Sequence, residues 1–358
     1  MKVREPELDI GLVKDTQAFI ERYVALTEDE ALIESYYVAH TWAFHVANAT
    51  PYLYINGEPQ SGKTRNMEIL ELLTRTARRT TSISAPAMYT LLRKLHAPTL
   101  LYDEIDTVWA RSGSSNQLTR MILNAGYRPG GLIYRQRGDE VEEYETFSPK
   151  VLAGVHNGHL PATVLTRTIP INMKAKRADQ HVERFVYHVA ANSPEREELL
   201  ARIEKFVEDF DIDIAIQAPD LLPALTDRQN EMVEPLRQIA AVFGEEAEHE
   251  LAEALQRIFS DQGTIKSSEA EIFGRIRRAL DVMGKKVGDE RRIFSEDLAL
   301  AVGRAFFGKP KQLSLWLAPF DIQPELVRIG SDVRRGYTDA QFADAFARYL
   351  GPAQPGQA

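Results

Sequence analysis

The run Gly57-Glu58-Pro59-Gln60-Ser61-Gly62-Lys63-Thr64 constrains this chain more than any other stretch. It meets the pattern of a glycine, four free positions, then glycine, lysine and a hydroxyl residue, and its flanks restrict the fold around it. Before it, Tyr52-Leu53-Tyr54-Ile55 is a short apolar, aromatic run that reads as a buried strand; after it, Thr64 to Thr74 reads as a helix. Strand, glycine-rich turn and helix in that order indicate an α/β domain with a parallel sheet. In such a turn the backbone N–H groups and the helix N-terminus face phosphate oxygens, the lysine neutralises them, and the hydroxyl is offered to a metal. Gly57, Glu58, Pro59, Gln60, Ser61, Gly62, Lys63, Thr64 and Arg65 are therefore the expected nucleotide-binding set, with ATP and Mg2+ as ligands.

Three more apolar runs read as strands of the same sheet: Thr99 to Tyr102, Val151 to Val155 and Ile169 to Met173. Each carries polar residues at an end, which is where an open parallel sheet builds its site. Asp103 and Glu104 follow the first of these runs, Asp103 as the expected metal residue beside Thr64, Glu104 as the base that polarises the attacking water. Asp106 reads as a cap on the segment that follows. Asn157, after the next run, is expected to orient the water, although His-Asn-Gly-His is also a turn sequence. His156 and His159 lack a carboxylate or cysteine at ligand spacing and are not read as metal ligands. Arg167, just before the last run, is expected to complete a neighbouring subunit's site as an arginine finger. Arg228, opening a helix after Thr226-Asp227, is expected to reach the nucleotide from a lid.

The 358 residues suffice for two or three domains, and the absence of cysteine fits a reducing compartment, here read as the cytoplasm. No apolar run is long enough to span a membrane, and no membrane partner is expected. A net charge of −9 argues against a general nucleic-acid coat, yet the stretch from Arg75 to Arg137 is rich in arginine. Solvated helix faces account for part of this. The rest reads as a surface that tracks phosphates, with Arg128 and, near the tip of a hairpin at about 131–147, Arg135 and Arg137 as candidate DNA contacts. In the C-terminal part Arg334 and Arg335 flank a β-like Val327 to Ile329 and would suit contacts to a duplex. The expected order is a helical segment 1–47, an ATPase core 48–180, a helical lid 181–288, a winged-helix-like domain 289–351 and a frayed tail 352–358.

One known family matches several of these stretches together. His40-Thr41-Trp42, Ser61-Gly62-Lys63-Thr64, Asp103-Glu104-Ile105-Asp106, Leu123-Asn124-Ala125-Gly126-Tyr127-Arg128, Pro149 to Gly154 and Arg167-Thr168-Ile169-Pro170-Ile171 resemble an uncharacterised P-loop family of actinobacteria and their phages. That family is catalogued as a domain of unknown function and often sits beside primase-like modules. The resemblance continues into Gly336-Tyr337-Thr338 and Phe342 to Leu350. It implies an AAA+-like or helicase-like ATPase with a C-terminal winged-helix-like domain. The expected activity is that of an ATP-driven motor on single-stranded or forked DNA, a replicative or primase-associated helicase of a phage or mobile element. It would work as a ring, a hexamer being the natural size, alone or with a separate primase. An origin-binding initiator or loader, and an ATPase of phage defence, are the alternatives that the same motifs would serve.

Overall fold

The computed structural model describes residues 8–110, 114–155, 160–177, 180–261, 268–288, 290–303 and 309–350. Its contacts divide the chain into two compact units, Met1–Asp261 and Gln262–Ala358.

Helices α1 (Leu12–Tyr23) and α2 (Glu28–Ala43) open the first unit. The start of α2 is fixed by a reciprocal cap: the Glu30 N–H donates to Thr27 Oγ1 (3.3 Å), and the Thr27 N–H donates to Glu30 Oε2 (2.9 Å). Then follow β1 (Tyr52–Gly57), α3 (Lys63–Leu73), β2 (Arg78–Thr80), α4 (Ala85–Lys94), β3 (Leu100–Tyr102), α5 (Asp106–Ala110) and α6 (Ser114–Ala125). An antiparallel hairpin, β4 (Leu132–Arg137) and β5 (Glu140–Glu145), precedes β6 (Lys150–Gly154), α7 (Ala162–Leu165) and β7 (Thr168–Met173). Four helices close the unit: α8 (Tyr187–Ala191), α9 (Pro194–Ile216), α10 (Asp227–Val242) and α11 (Glu245–Asp261).

The sheet is five-stranded and parallel, in the order β2-β3-β6-β1-β7. Alternation along its strands explains the two layers that cover it. Leu53, Ile55, Val151, Ala153, Ile169 and Ile171 join a core with α1–α3 and α9–α11. Tyr52, Tyr54, Leu100, Tyr102 and Leu152 face the other way, into a core with α4, α6 and the foot of the hairpin. Because Tyr52 is in register with both Lys150 and Thr168, the carboxyl ends of the strands come out together. The sequence reading found β1, β3, β6 and β7 but not β2, whose residues Arg78-Arg79-Thr80 are polar and sit on the sheet edge.

In the second unit, α12 (Ser268–Met283), α13 (Ser295–Val302), α14 (Pro310–Leu317) and α15 (Ala343–Leu350) pack on an antiparallel sheet. Its strands β8 (Lys285–Val287), β9 (Glu290–Phe294), β10 (Glu325–Ile329) and β11 (Asp332–Thr338) lie in the order β10-β11-β9-β8. Phe273 of α12 is fully buried against this core, so α12 belongs to the C-terminal unit and the division falls earlier than residue 288. Phe294 ends β9, and α13 begins at the next residue. The expected tail 352–358 lies outside the described residues.

Candidate functional site

The loop between β1 and α3 is shaped by two glycines. Gly62 holds φ +96°, which turns the chain into α3 and leaves that helix without a side-chain cap, so its first N–H groups point free from the loop. A Cβ on Gly57 would stand 2.5 Å from both the Ser61 Oγ and the Met173 carbonyl, so only glycine fits between β7 and the loop. Ser61 Oγ itself is buried without a hydrogen-bond partner among the described residues. Lys63 Nζ donates to the carbonyls of Gly57 (2.6 Å) and Glu58 (2.9 Å), neutral acceptors that an anion would displace. Thr64 is exposed at the first turn of α3. Arg65 turns aside: its guanidinium lies 4.5 Å over the Phe185 ring and contacts Glu68 (3.4 Å).

Asp103 and Glu104 leave the end of β3 at the same edge. The Asp103 N–H donates to the Thr80 carbonyl and the Ile105 N–H to Ala153, which carries the chain across the end of β6 (both 2.9 Å). Between them Glu104 adopts φ +54°, a backbone region uncommon for a residue with a side chain, and its own N–H donates to Asp103 Oδ1 (3.0 Å). The turn leaves the Glu104 side chain exposed and Asp103 half-buried, with no ion pair to either among the described residues. Only β6 separates β1 from β3, so loop and acids are about 10 Å apart, two strand spacings. Asp106 opens α5. Asn157, like His156 and His159, lies outside the described residues.

Behind the loop is a polar cluster that the sequence reading did not single out. Glu34 is fully buried, and burial lifts its carboxyl to about 8, with Asn66 pulling the other way and Glu30 adding to the rise. Asn66 Nδ2, from α3, donates to Glu34 Oε1 (2.5 Å). Nearby, the Asn172 N–H donates to Glu30 Oε1 (2.8 Å), and Asn56 Nδ2 to Asn172 Oδ1 (3.2 Å). The start of α3 and the ends of β1 and β7 are thus tied to α2. The one available signal was Glu34 on the apolar face of a helix whose neighbours are all buried.

Arg167 and Arg228 lie elsewhere. Arg167 precedes β7 and so sits at the amino edge of the sheet, where its Nη1 donates to the Asn124 (2.9 Å) and Leu123 (3.4 Å) carbonyls at the end of α6. Its Nε is buried without a partner. Arg228, expected to reach the nucleotide from a lid, has its guanidinium 4.4 Å over the Tyr127 ring and donates to Glu231 (3.0 Å). Arg167 stands over the same ring at 5.7 Å, and Tyr127 accepts from the Thr50 N–H, before the start of β1. The six residues of β1 put this cluster about 17 Å of strand away from the loop. Arg128 joins it through Glu231 (2.6 Å), leaving three guanidinium groups around one ring and one carboxylate.

The hairpin arginines are also engaged. Arg135 lies 4.8 Å over the Tyr89 ring, and Arg137 pairs with Glu142 (3.2 Å). Strand β5 brings Glu140, Glu142, Glu143 and Glu145 alongside β4, so the hairpin is acidic overall, contrary to the basic surface expected there. Arg334 lies 4.1 Å over the Phe294 ring and pairs with Asp332 (3.3 Å), whereas Arg335 is exposed with no ion pair among the described residues.

Residues 172–349 match the family described as a protein of unknown function (DUF3631). The match covers just under half of the chain: it starts near the end of β7 and runs through α8–α11 and the C-terminal unit. It includes the Gly336-Tyr337-Thr338 and Phe342 to Tyr349 stretches and leaves out the loop Gly57–Thr64 and Asp103-Glu104. No curated protein matches the chain. No helix among the described residues is long and apolar enough to cross a membrane.

Proposed function

We propose that the first unit is a P-loop ATPase, AAA+-like or helicase-like, which hydrolyses ATP with Mg2+ and works on DNA as a ring oligomer. The observation that carries this reading is the joint exit of the Gly57–Thr64 loop and Asp103-Glu104 from one sheet edge, about 10 Å apart. The loop fits a nucleotide on three counts: a buried Ser61 hydroxyl without a partner among the described residues, a glycine cradle with no room for a Cβ, and the uncapped start of α3. Lys63 exchanges its loop carbonyls for phosphate oxygens. Thr64 and Asp103 would hold the metal, which supplies charge neutralisation when bound. Glu104, exposed and unpaired, accepts the proton of the attacking water.

The amino edge holds Arg128, Arg167 and Arg228, cations suited to meet charge developing on the far side of a phosphate bound at the carboxyl edge. A head-to-tail ring that sets one subunit's amino edge on its neighbour's carboxyl edge would bring them together, Arg167 as the finger and Arg228 beside it. Arg228 therefore enters this reading as a residue acting on a neighbour's nucleotide.

As for the task, a DNA motor, a replicative or primase-associated helicase, is one reading, with the β4–β5 hairpin as the element in the channel. The charge distribution favours a second: an initiator or loader that switches state on hydrolysis and holds DNA through its winged-helix-like C-terminal unit. In the β4–β5 hairpin Arg137 pairs with Glu142 and Arg135 lies over the Tyr89 ring, while Arg328 and Arg335 of the β10–β11 hairpin have no ion pair among the described residues. Unwinding assays on forked DNA with ATP and Mg2+ separate the two. The switch predicts ATP-dependent duplex binding without strand separation; unwinding by the purified oligomer, lost on Arg135 and Arg137 substitution, would return the motor to first place.

A further inference from the structure

The C-terminal unit contains a cavity of about 580 Å³ that the ATPase reading does not use. Two helices begin at its wall: α13 at Ser295 and α14 at Pro310. The residue before α13 is Phe294, which offers no side-chain cap, so the first N–H groups of that helix are left for another acceptor. Among the described residues Ser295 Oγ is buried with no hydrogen-bond partner, and so is the Tyr337 hydroxyl. Burial raises the Tyr337 pKa. Ser295 and Ser314 both line the cavity. At the rim, Arg334 is answered by Asp332 and Glu296, but Lys311 and Arg335 have no ion pair among the described residues.

We propose that this cavity binds a phosphate monoester, carried by a free nucleotide or by the end of a nucleic-acid strand. Two unanswered cations match a group that carries close to two negative charges, and hydroxyls with helix N–H groups match its three acceptor oxygens. The cavity's volume is that of a small-ligand site and leaves room for the nucleoside attached to the phosphate. An internal phosphodiester of a duplex carries one charge and runs along a surface; a monoester at a chain end reaches into a recess. The site is independent of the Gly57–Thr64 loop.

The test uses the full chain carrying Lys63→Ala, so that the loop contributes little phosphate binding. Its probes are a short single-stranded oligonucleotide with a 5′-phosphate and its 5′-hydroxyl twin, both 3′-labelled for fluorescence anisotropy, with a nucleoside monophosphate and inorganic phosphate as competitors. A preference of about tenfold or more for the 5′-phosphate strand assigns the site to a chain end. Equal strand affinities with tight binding of the nucleoside monophosphate assign it to a free nucleotide, and inorganic phosphate binding as tightly as either assigns it to the phosphate alone. In each case Lys311→Ala with Arg335→Ala must abolish the effect and Ser295→Ala must weaken it several-fold; both cations are exposed, and unchanged thermal melting checks the fold. The proposal is overturned if the strands bind alike and neither small phosphate binds, or if the preference survives in the double variant.

Discussion

At the scale of single residues, the proposed ATPase site makes separate predictions for binding and for chemistry. Among the described residues the partners of Lys63 are neutral loop carbonyls, so Lys63→Ala is expected to lose nucleotide affinity and turnover while leaving melting unchanged. Glu104→Gln should keep nucleotide binding and lower turnover by about 10²–10⁴-fold, the usual worth of a positioned base; unchanged turnover removes Glu104 from that role. Glu34 makes a prediction about pH. Its carboxyl is raised from 4.5 to about 8 by burial, so between those values the folded protein keeps a proton that the unfolded chain has lost. Stability from this group is therefore fully present below 4.5 and declines as pH rises toward 8, at up to about 1.4 kcal/mol per pH unit. Urea unfolding from pH 5 to 8 should show that decline, and Glu34→Gln, which keeps an oxygen for Asn66, should flatten it. A variant as pH-sensitive as the parent would mean that Glu34 is ionised in the folded state.

At the scale of elements, legibility followed burial. β1, β3, β6 and β7 announce themselves because a strand covered on both faces must be apolar throughout, and the loop and acids were found at their ends for that reason. β2, β8 and β9 did not, since Arg78-Arg79-Thr80, Lys285-Lys286-Val287 and Glu290-Arg291-Arg292 show no apolar run or alternation, and only Ile293 and Phe294 at the end of β9 are buried. The hairpin was found but its charge was misjudged. Its arginines lie on β4, and the glutamates that outnumber them lie on β5, beyond the stretch that looked basic. Lys150 lies in the stretch Pro149 to Gly154 that resembles the family, and nothing in the sequence around it marks its contacts. It is fully buried, with its pKa pushed well down by burial, and Nζ donates to the carbonyls of Ser148 (2.7 Å), Thr146 (2.9 Å) and Gly126 (3.3 Å). This one side chain ties the turn after α6 to the foot of β5. Lys150→Met fits the same space but leaves those carbonyls without their donor, and should destabilise the unit by about 2–4 kcal/mol in urea unfolding. A loss below about 0.5 kcal/mol would mean that the carbonyls find other donors.

At the scale of the whole molecule, the distance between the two edges of the sheet decides how the arginines are used. The loop lies at the carboxyl edge, Arg167 and Arg228 at the amino edge, and a rigid parallel sheet with helices on both faces keeps them apart. A chain acting alone would have to do without them. In a head-to-tail ring every site combines the loop of one subunit with the arginines of the next, and subunit mixing tests this directly. Lys63→Ala and Arg167→Ala subunits should each be inactive as pure rings. In a one-to-one mixture, a junction works when an Arg167→Ala subunit, whose loop is intact, meets a Lys63→Ala subunit, whose arginine is intact. With random assembly and independent junctions that is about a quarter of them, so turnover should recover to about a quarter of the parent rate. Arg228→Ala in place of Arg167→Ala should complement in the same way, since both arginines share the Tyr127 ring and hence the same neighbour. Mixtures that exchange subunits and yet stay inactive would place each arginine's effect within its own chain, through the end of α6 that Arg167 holds.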